Sequence, residues 1–125
     1  MHAPSPVPAT PRAQRWLAAG GAVCAAAAVA LSAYAAHASE GPAQARLQTA
    51  AVFAFGHGLA LVLLAPATRG WLGRCALLAL SLGVLLFCGS VVSGVLAQWP
   101  TTLAPAGGML LIGGWLLLAL DLLRR

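Results

Sequence analysis

Leu77-Leu78-Ala79-Leu80-Ser81-Leu82-Gly83-Val84-Leu85-Leu86-Phe87-Cys88-Gly89-Ser90-Val91-Val92-Ser93-Gly94-Val95-Leu96-Ala97 is an apolar run without a single charge. A helix rises about 1.5 Å per residue, so this stretch covers roughly the 30 Å thickness of a bilayer's hydrocarbon. In lipid, only a helix or a closed barrel satisfies every backbone group internally. The run therefore reads as a membrane-spanning helix. One side of it carries Gly83, Ser90, Ser93 and Gly94, small residues that allow a second helix to come close.

The rest of the chain agrees with that reading. Of 125 residues, 61% are hydrophobic and only 7% charged, whereas about a quarter of an ordinary soluble domain is charged. The length allows one domain. A net charge of +5 arises from seven arginines set against Glu40 and Asp121, with no lysine. Nucleic-acid binding would need those cations gathered as a patch on a folded face. Here they punctuate the ends of apolar segments, where membrane proteins carry their orientation signals. The three cysteines show no CxxC pair and no zinc-like spacing, so Cys24 and Cys88 are expected to pack as small hydrophobes.

Upstream, residues 1–11 hold Pro4, Pro6, Pro8 and Pro11 among small residues and are expected to form a disordered tail. Arg12 and Arg15 then introduce an alanine-rich span over residues 16–36. A secretory signal peptide competes for this region, because Ala36-His37-Ala38 resembles a cleavage site. The apolar stretch exceeds the 7 to 15 residues typical of a signal peptide, and we read it as a retained first span. Residues 37–45 form a polar connection. The second span, 46–65, aligns Ala50, Ala54 and Gly58 on one face and stops at Pro66. A connection at 67–74, with Trp71 between Arg69 and Arg74, has the pattern of a membrane interface.

Downstream of the central span, 76–97, Trp99-Pro100 closes the helix. Pro105 suits the first turn of a fourth span over 105–123, which carries Gly107, Gly108 and Gly114. Asp121 can reach Arg124 and Arg125 and is expected to form a solvated terminal ion pair with them.

Counting arginines orients the chain. Arg12, Arg15, Arg69, Arg74, Arg124 and Arg125 fall on one side of the membrane, and Arg46 alone on the other. This bias places both termini in the cytoplasm. Short connections make successive spans antiparallel neighbours. The expected fold is thus an all-α, up-down-up-down bundle of four transmembrane helices over residues 12–125.

Four stretches carry a family resemblance. They are Ser32-Ala33-Tyr34-Ala35-Ala36-His37; Thr49-Ala50-Ala51-Val52-Phe53 followed by His57-Gly58-Leu59-Ala60; Phe87-Cys88-Gly89-Ser90; and Pro105-Ala106-Gly107-Gly108 with Gly114-Trp115. In that order they resemble the YgdD-type small membrane proteins, domain-of-unknown-function family 423, which is related to a small animal transmembrane protein. Ser32, Ala35 and Cys88 depart from the family pattern, which has glycine, glycine and serine there, and close helix contact is expected to relax at those points. The resemblance implies a four-span protein of the bacterial inner membrane and supplies no biochemical activity.

Candidate functional residues are few. His57 is the ionisable side chain deepest within a span, about 15 Å from the start of the second span and so near the bilayer midplane. Such a group is either functional or held by a neighbouring carbonyl or serine, with Ser90 and Ser93 as the expected partners. His37 lies at the outer end of the first span, and Trp115 sits deep in the fourth. His37, His57, Ser90, Ser93 and Trp115 are the candidate ligand-binding residues. Ala50, Ala54, Gly58, Gly83, Gly89, Gly94, Gly107, Gly108 and Gly114 are the candidate helix-packing positions.

Catalytic arrangements are lacking. Glu40 and Asp121 fall on opposite sides of the membrane, no acid orients a histidine against Ser90 or Ser93, and no phosphate loop occurs. Bis-histidine haem ligation is disfavoured because His37 and His57 differ in depth by about half the membrane. The expectation is a non-enzymatic membrane component without metal or cofactor. It would contact lipid, and either copies of itself or a larger membrane complex, through its small-residue faces. The competing expectation is a small-molecule binder or carrier built around His57.

Overall fold

The structure, a computed structural model, describes residues 5–125. His2 and the start of the proline-rich tail lie outside the described residues, and residues 5–11 carry no helix or strand. Four helices follow: α1 (Arg12–Ala38), α2 (Gly41–Leu64), α3 (Trp71–Leu96) and α4 (Leu103–Leu123). Each is long and apolar enough to cross a membrane. The fold is the all-α, antiparallel four-helix bundle that the sequence implies.

Three of the helices run several residues beyond the apolar spans. Arg12 and Arg15 stand in the first turns of α1, and Arg74 in the first turn of α3. Charged heads at a helix end can reach water while their stems lie along apolar surface. The connection expected over 37–45 shrinks to Ser39 and Glu40, with Gly41 supplying a positive φ of 59° at the turn. Pro42 sits in the first turn of α2, where its missing donor costs nothing. At the α3–α4 connection Gln98 takes a left-handed φ of 56°, and the Trp99 N–H donates to the Ser93 carbonyl at 3.3 Å.

The bundle is two hairpins, α1–α2 and α3–α4, joined where α2 lies against α3. No Cα of α1 comes within 8 Å of one in α4 among the described residues. The shared core contains Ala28 of α1, Ala50 and Ala54 of α2, Leu80, Val84 and Cys88 of α3, and Leu111 of α4. Within each hairpin the backbones nearly touch. A Cβ added to Gly58 would meet the Gly21 carbonyl at 2.6 Å, and one added to Gly83 would meet the Gly107 carbonyl at 3.0 Å. A Cβ at Gly114 would meet Leu80 at 2.8 Å, so glycine is needed there too.

The expected packing positions divide accordingly. Ala50, Ala54, Gly58, Gly83, Gly107 and Gly114 are buried between helices, and Gly94 lies against Thr101 of the following connection. Gly89 and Gly108 are corrections: a Cβ on either would meet nothing within 4 Å, because the rotation of α3 and α4 turns them away from their neighbours. Close contact also persists where the family pattern is broken. Ala35 is fully buried. Ser32 Oγ donates to Gln48 Oε1 at 2.9 Å, and Gln48 Nε2 donates back to the Ser32 carbonyl at 3.2 Å. Cys88 Sγ donates to the Ala50 carbonyl at 3.3 Å, and Cys24 Sγ to the Ala54 carbonyl at 3.4 Å. The Ser32 hydroxyl thus makes a bond between α1 and α2 that glycine could not, and the Cys88 thiol bonds α3 to α2.

The antiparallel arrangement gathers six arginines, Arg12, Arg15, Arg69, Arg74, Arg124 and Arg125, at one end of the bundle. Trp16 and Trp71 stand exposed at that end, and Trp99 at the other.

Candidate functional site

His57 lies on α2, sixteen residues after Gly41 and seven before Leu64, so it is closer to the arginine-bearing end than the shorter sequence-derived span implied. Its Nδ1 sits 2.7 Å from the Phe53 carbonyl one turn earlier, and its Nε2 sits 3.1 Å from the Trp115 indole nitrogen on α4. The carbonyl can only accept and the indole N–H can only donate. These partners therefore assign the proton to Nδ1 and the lone pair to Nε2, a neutral ring with both nitrogens engaged. Stacking extends the contact. Phe53 lies 4.8 Å from Phe87 between ring centroids, and His57 lies 5.8 Å from both Phe53 and Trp115. Phe87, Phe53, His57 and Trp115 thus form an aromatic ladder from α3 through α2 to α4.

Ser90 and Ser93 do not join it. Phe53 faces Phe87, and Ala50 meets Cys88, which fixes the antiparallel register of α2 on α3. In that register both serines lie roughly 10 to 15 Å along the axis from His57. Ser93 Oγ donates to its own helix, to the carbonyls of Gly89 at 2.7 Å and Ser90 at 3.2 Å. Ser90 Oγ is buried without a hydrogen-bond partner. His37 stands exposed in the last turn of α1 at the opposite end from the arginines. Of the five expected ligand-binding residues, the fold brings together His57 and Trp115 and separates the other three from them.

That pair is a strut rather than an open site. Its polar atoms satisfy one another, no carboxylate adjoins it, and a ligand bonding to Nε2 would have to displace the indole. Tying polar groups on facing helices is a common use of such residues in membranes.

A second polar cluster lies at the arginine-bearing end, and sequence reasoning missed most of it. Gln14 of α1 is buried and donates its amide N–H to the carbonyl of Thr68, itself buried in the α2–α3 connection. Thr68 Oγ1 donates to the Leu64 carbonyl at 2.7 Å. Asp121 is not the solvated residue expected. It is only 7% exposed, and its carboxylate lies against Gly73, where an added Cβ would meet Oδ2 at 2.8 Å. Arg125 closes over it, donating from Nη2 at 2.6 Å and Nε at 3.0 Å. Gly70 and Gly73 leave the space that admits the acid, and the positive end of the α3 dipole favours a carboxylate there. Gln14 gives no signal beyond being a polar residue between the two arginines that flank the first span.

The third feature is a shallow apolar groove of about 690 Å³ between α1 and α2, where Ala33, Ala36 and Gly56 lie among the larger Val29, Val52 and Phe55. Among the described residues, none of α3 or α4 lines it.

Four apolar crossing helices packed as antiparallel hairpins define a multi-pass membrane protein that contacts the lipid bilayer. The chain belongs to the family described as "Protein of unknown function (DUF423)", whose profile matches residues 31–108. The matched stretch runs from the second half of α1 into the first turns of α4; it includes His57 and stops before Trp115 and Asp121. No curated protein and no solved structure matches the chain.

Proposed function

We propose that this protein is a non-catalytic structural or accessory component of a bacterial inner membrane, with both termini in the cytoplasm, that associates laterally through small-residue helix faces. The groove between α1 and α2 carries this reading. The glycines that hold the hairpins together are consumed inside the chain, whereas Ala33, Ala36 and Gly56 line a surface that no helix of this chain fills. Small side chains let a further helix approach closely, and lateral association in lipid depends on such packing. Orientation is supported by the six arginines at one end against Arg46 at the other. The engaged ring nitrogens of His57 favour this reading over a binder built around that residue.

Native mass spectrometry of the protein taken from its own membrane in mild detergent tests the proposal. A stoichiometric partner or a second copy is expected, and Ala33→Leu with Gly56→Leu should abolish that species while leaving the bundle folded. A wild-type chain that remains strictly monomeric at low detergent would contradict it.

A further inference from the structure

The recess at the arginine-bearing end, between the proline-rich segment and the α2–α3 connection, points to a ligand. We propose that it binds the phosphate of an anionic phospholipid headgroup. About 210 Å³ in volume, it is lined by Pro8, Pro11, Gln14, Thr68, Arg69 and Arg74 among others. The hydrogen bond from Gln14 to the Thr68 carbonyl pins the start of α1 to the connection and so gives the recess a fixed wall.

Charge decides what it takes. Arg69 and Arg74 have no acidic partner: among the described residues the one ion pair is Arg125 with Asp121. Glu40 precedes α2 at the opposite end of the bundle, and Asp121 lies in a neighbouring recess that Arg69 also borders, its charge paired with Arg125. The start of α3 is occupied by Asp121, which lies against Gly70 and Gly73, so the positive potential of the recess comes from the two guanidiniums. Two guanidiniums suit a tetrahedral oxyanion, since arginine matches phosphate oxygens in a forked geometry.

Depth decides where the phosphate comes from. Trp16 and Trp71 flank the recess in sequence and are 67% and 72% exposed, as expected of residues in the interfacial belt. A lipid phosphate occupies that same level, and basic pockets between helices on this side of a membrane are suited to lipid headgroups.

The test uses the full chain, delipidated in mild detergent, with native mass spectrometry reading bound lipid against added phosphatidylglycerol, phosphatidylcholine, glycerol phosphate or inorganic phosphate. Wild type should retain phosphatidylglycerol at least about tenfold better than phosphatidylcholine, and neither free anion should displace it at matched concentration. Arg69→Gln with Arg74→Gln should weaken retention about thirtyfold, which is about 1 kcal/mol per arginine at a membrane surface. Arg12→Gln with Arg15→Gln removes the same charge outside the recess and should weaken it less than about threefold. Equal losses from the two pairs, equal retention of the two lipids, or displacement by a free anion would each overturn the proposal. All four arginines are exposed, so folding of both variants is expected and is checked by the thermal midpoint.

Discussion

Within the α1–α2 hairpin, Gly21 and Gly58 bring backbone against backbone, each placed so that a Cβ would strike the other's carbonyl at 2.6 Å. Gly83 and Gly107 repeat the device in the α3–α4 hairpin. Across the α2–α3 seam the material is different: Val84 and Cys88 meet Ala50 and Ala54, and Phe53 meets Phe87. The hairpins are held by the absence of side chains and the seam by their presence. In lipid no hydrophobic drive pushes helices together, so association relies on close packing and interhelical polar contacts. Backbone approach at glycine also permits Cα–H···O contacts that a larger residue forbids. The two regions should therefore fail in opposite ways, the hairpins on addition of atoms and the seam on their removal.

The largest effect is expected from enlarging a hairpin glycine. Gly107→Leu must push α4 away from the Phe87 backbone and the Gly83 carbonyl, and should cost about 3 kcal/mol of unfolding free energy in detergent. Gly58→Leu should match it in the other hairpin. Tolerance of both would erase the distinction between hairpin and seam.

Removal comes next. Leu80 is fully buried in the core that α3 shares with Ala50 and Ala54 of α2 and also packs on Gly114, so Leu80→Ala leaves a cavity and should cost about 2 to 3 kcal/mol. Filling that cavity with a Gly114→Ala second change should recover part of the loss; a simple sum of two losses would show that α4 cannot relax there.

The strut contributes less. Trp115→Phe deletes the indole N–H that His57 accepts and should cost about 0.6 kcal/mol, the usual size of an interhelical hydrogen bond in a membrane protein. The same cost in a His57→Phe background would mean that the bond carries none of it. Smallest of all, Gly89→Ala and Gly108→Ala should change stability by less than about 0.5 kcal/mol, because nothing lies within 4 Å of the added atom. They share the residue type of Gly83 and Gly107 and differ only in facing, so a large cost at either would place an unrecognised contact there.

That difference in facing marks what could be read from the chain. Four apolar runs, their punctuation by arginine and proline, and short connections are enough for the four helices and their antiparallel order, because hydrocarbon thickness and backbone satisfaction leave few alternatives. Rotation of each helix about its axis was not legible. A uniformly apolar helix has no polar face to mark its buried side, so Gly83 and Gly89 look alike in sequence and part company in space. The same gap hid the partner of His57. The register of α2 on α3 sets His57 apart from Ser90 and Ser93 along the axis and leaves it beside Trp115, which depth within a single span does not reveal. Gln14 and Gln48 escaped notice because an amide near a helix end looks ordinary until its partner on another helix is known.

Sidedness underlies the proposed orientation and the phosphate-binding recess alike, so it offers the most direct test. Reporters that are active only in the cytoplasm or only outside it, fused after Arg125 and inserted between Ser39 and Glu40, read it in one experiment. The account predicts a cytoplasmic signal at Arg125 and an external one at the α1–α2 connection. An external signal at Arg125, or the same compartment for both positions, would contradict it.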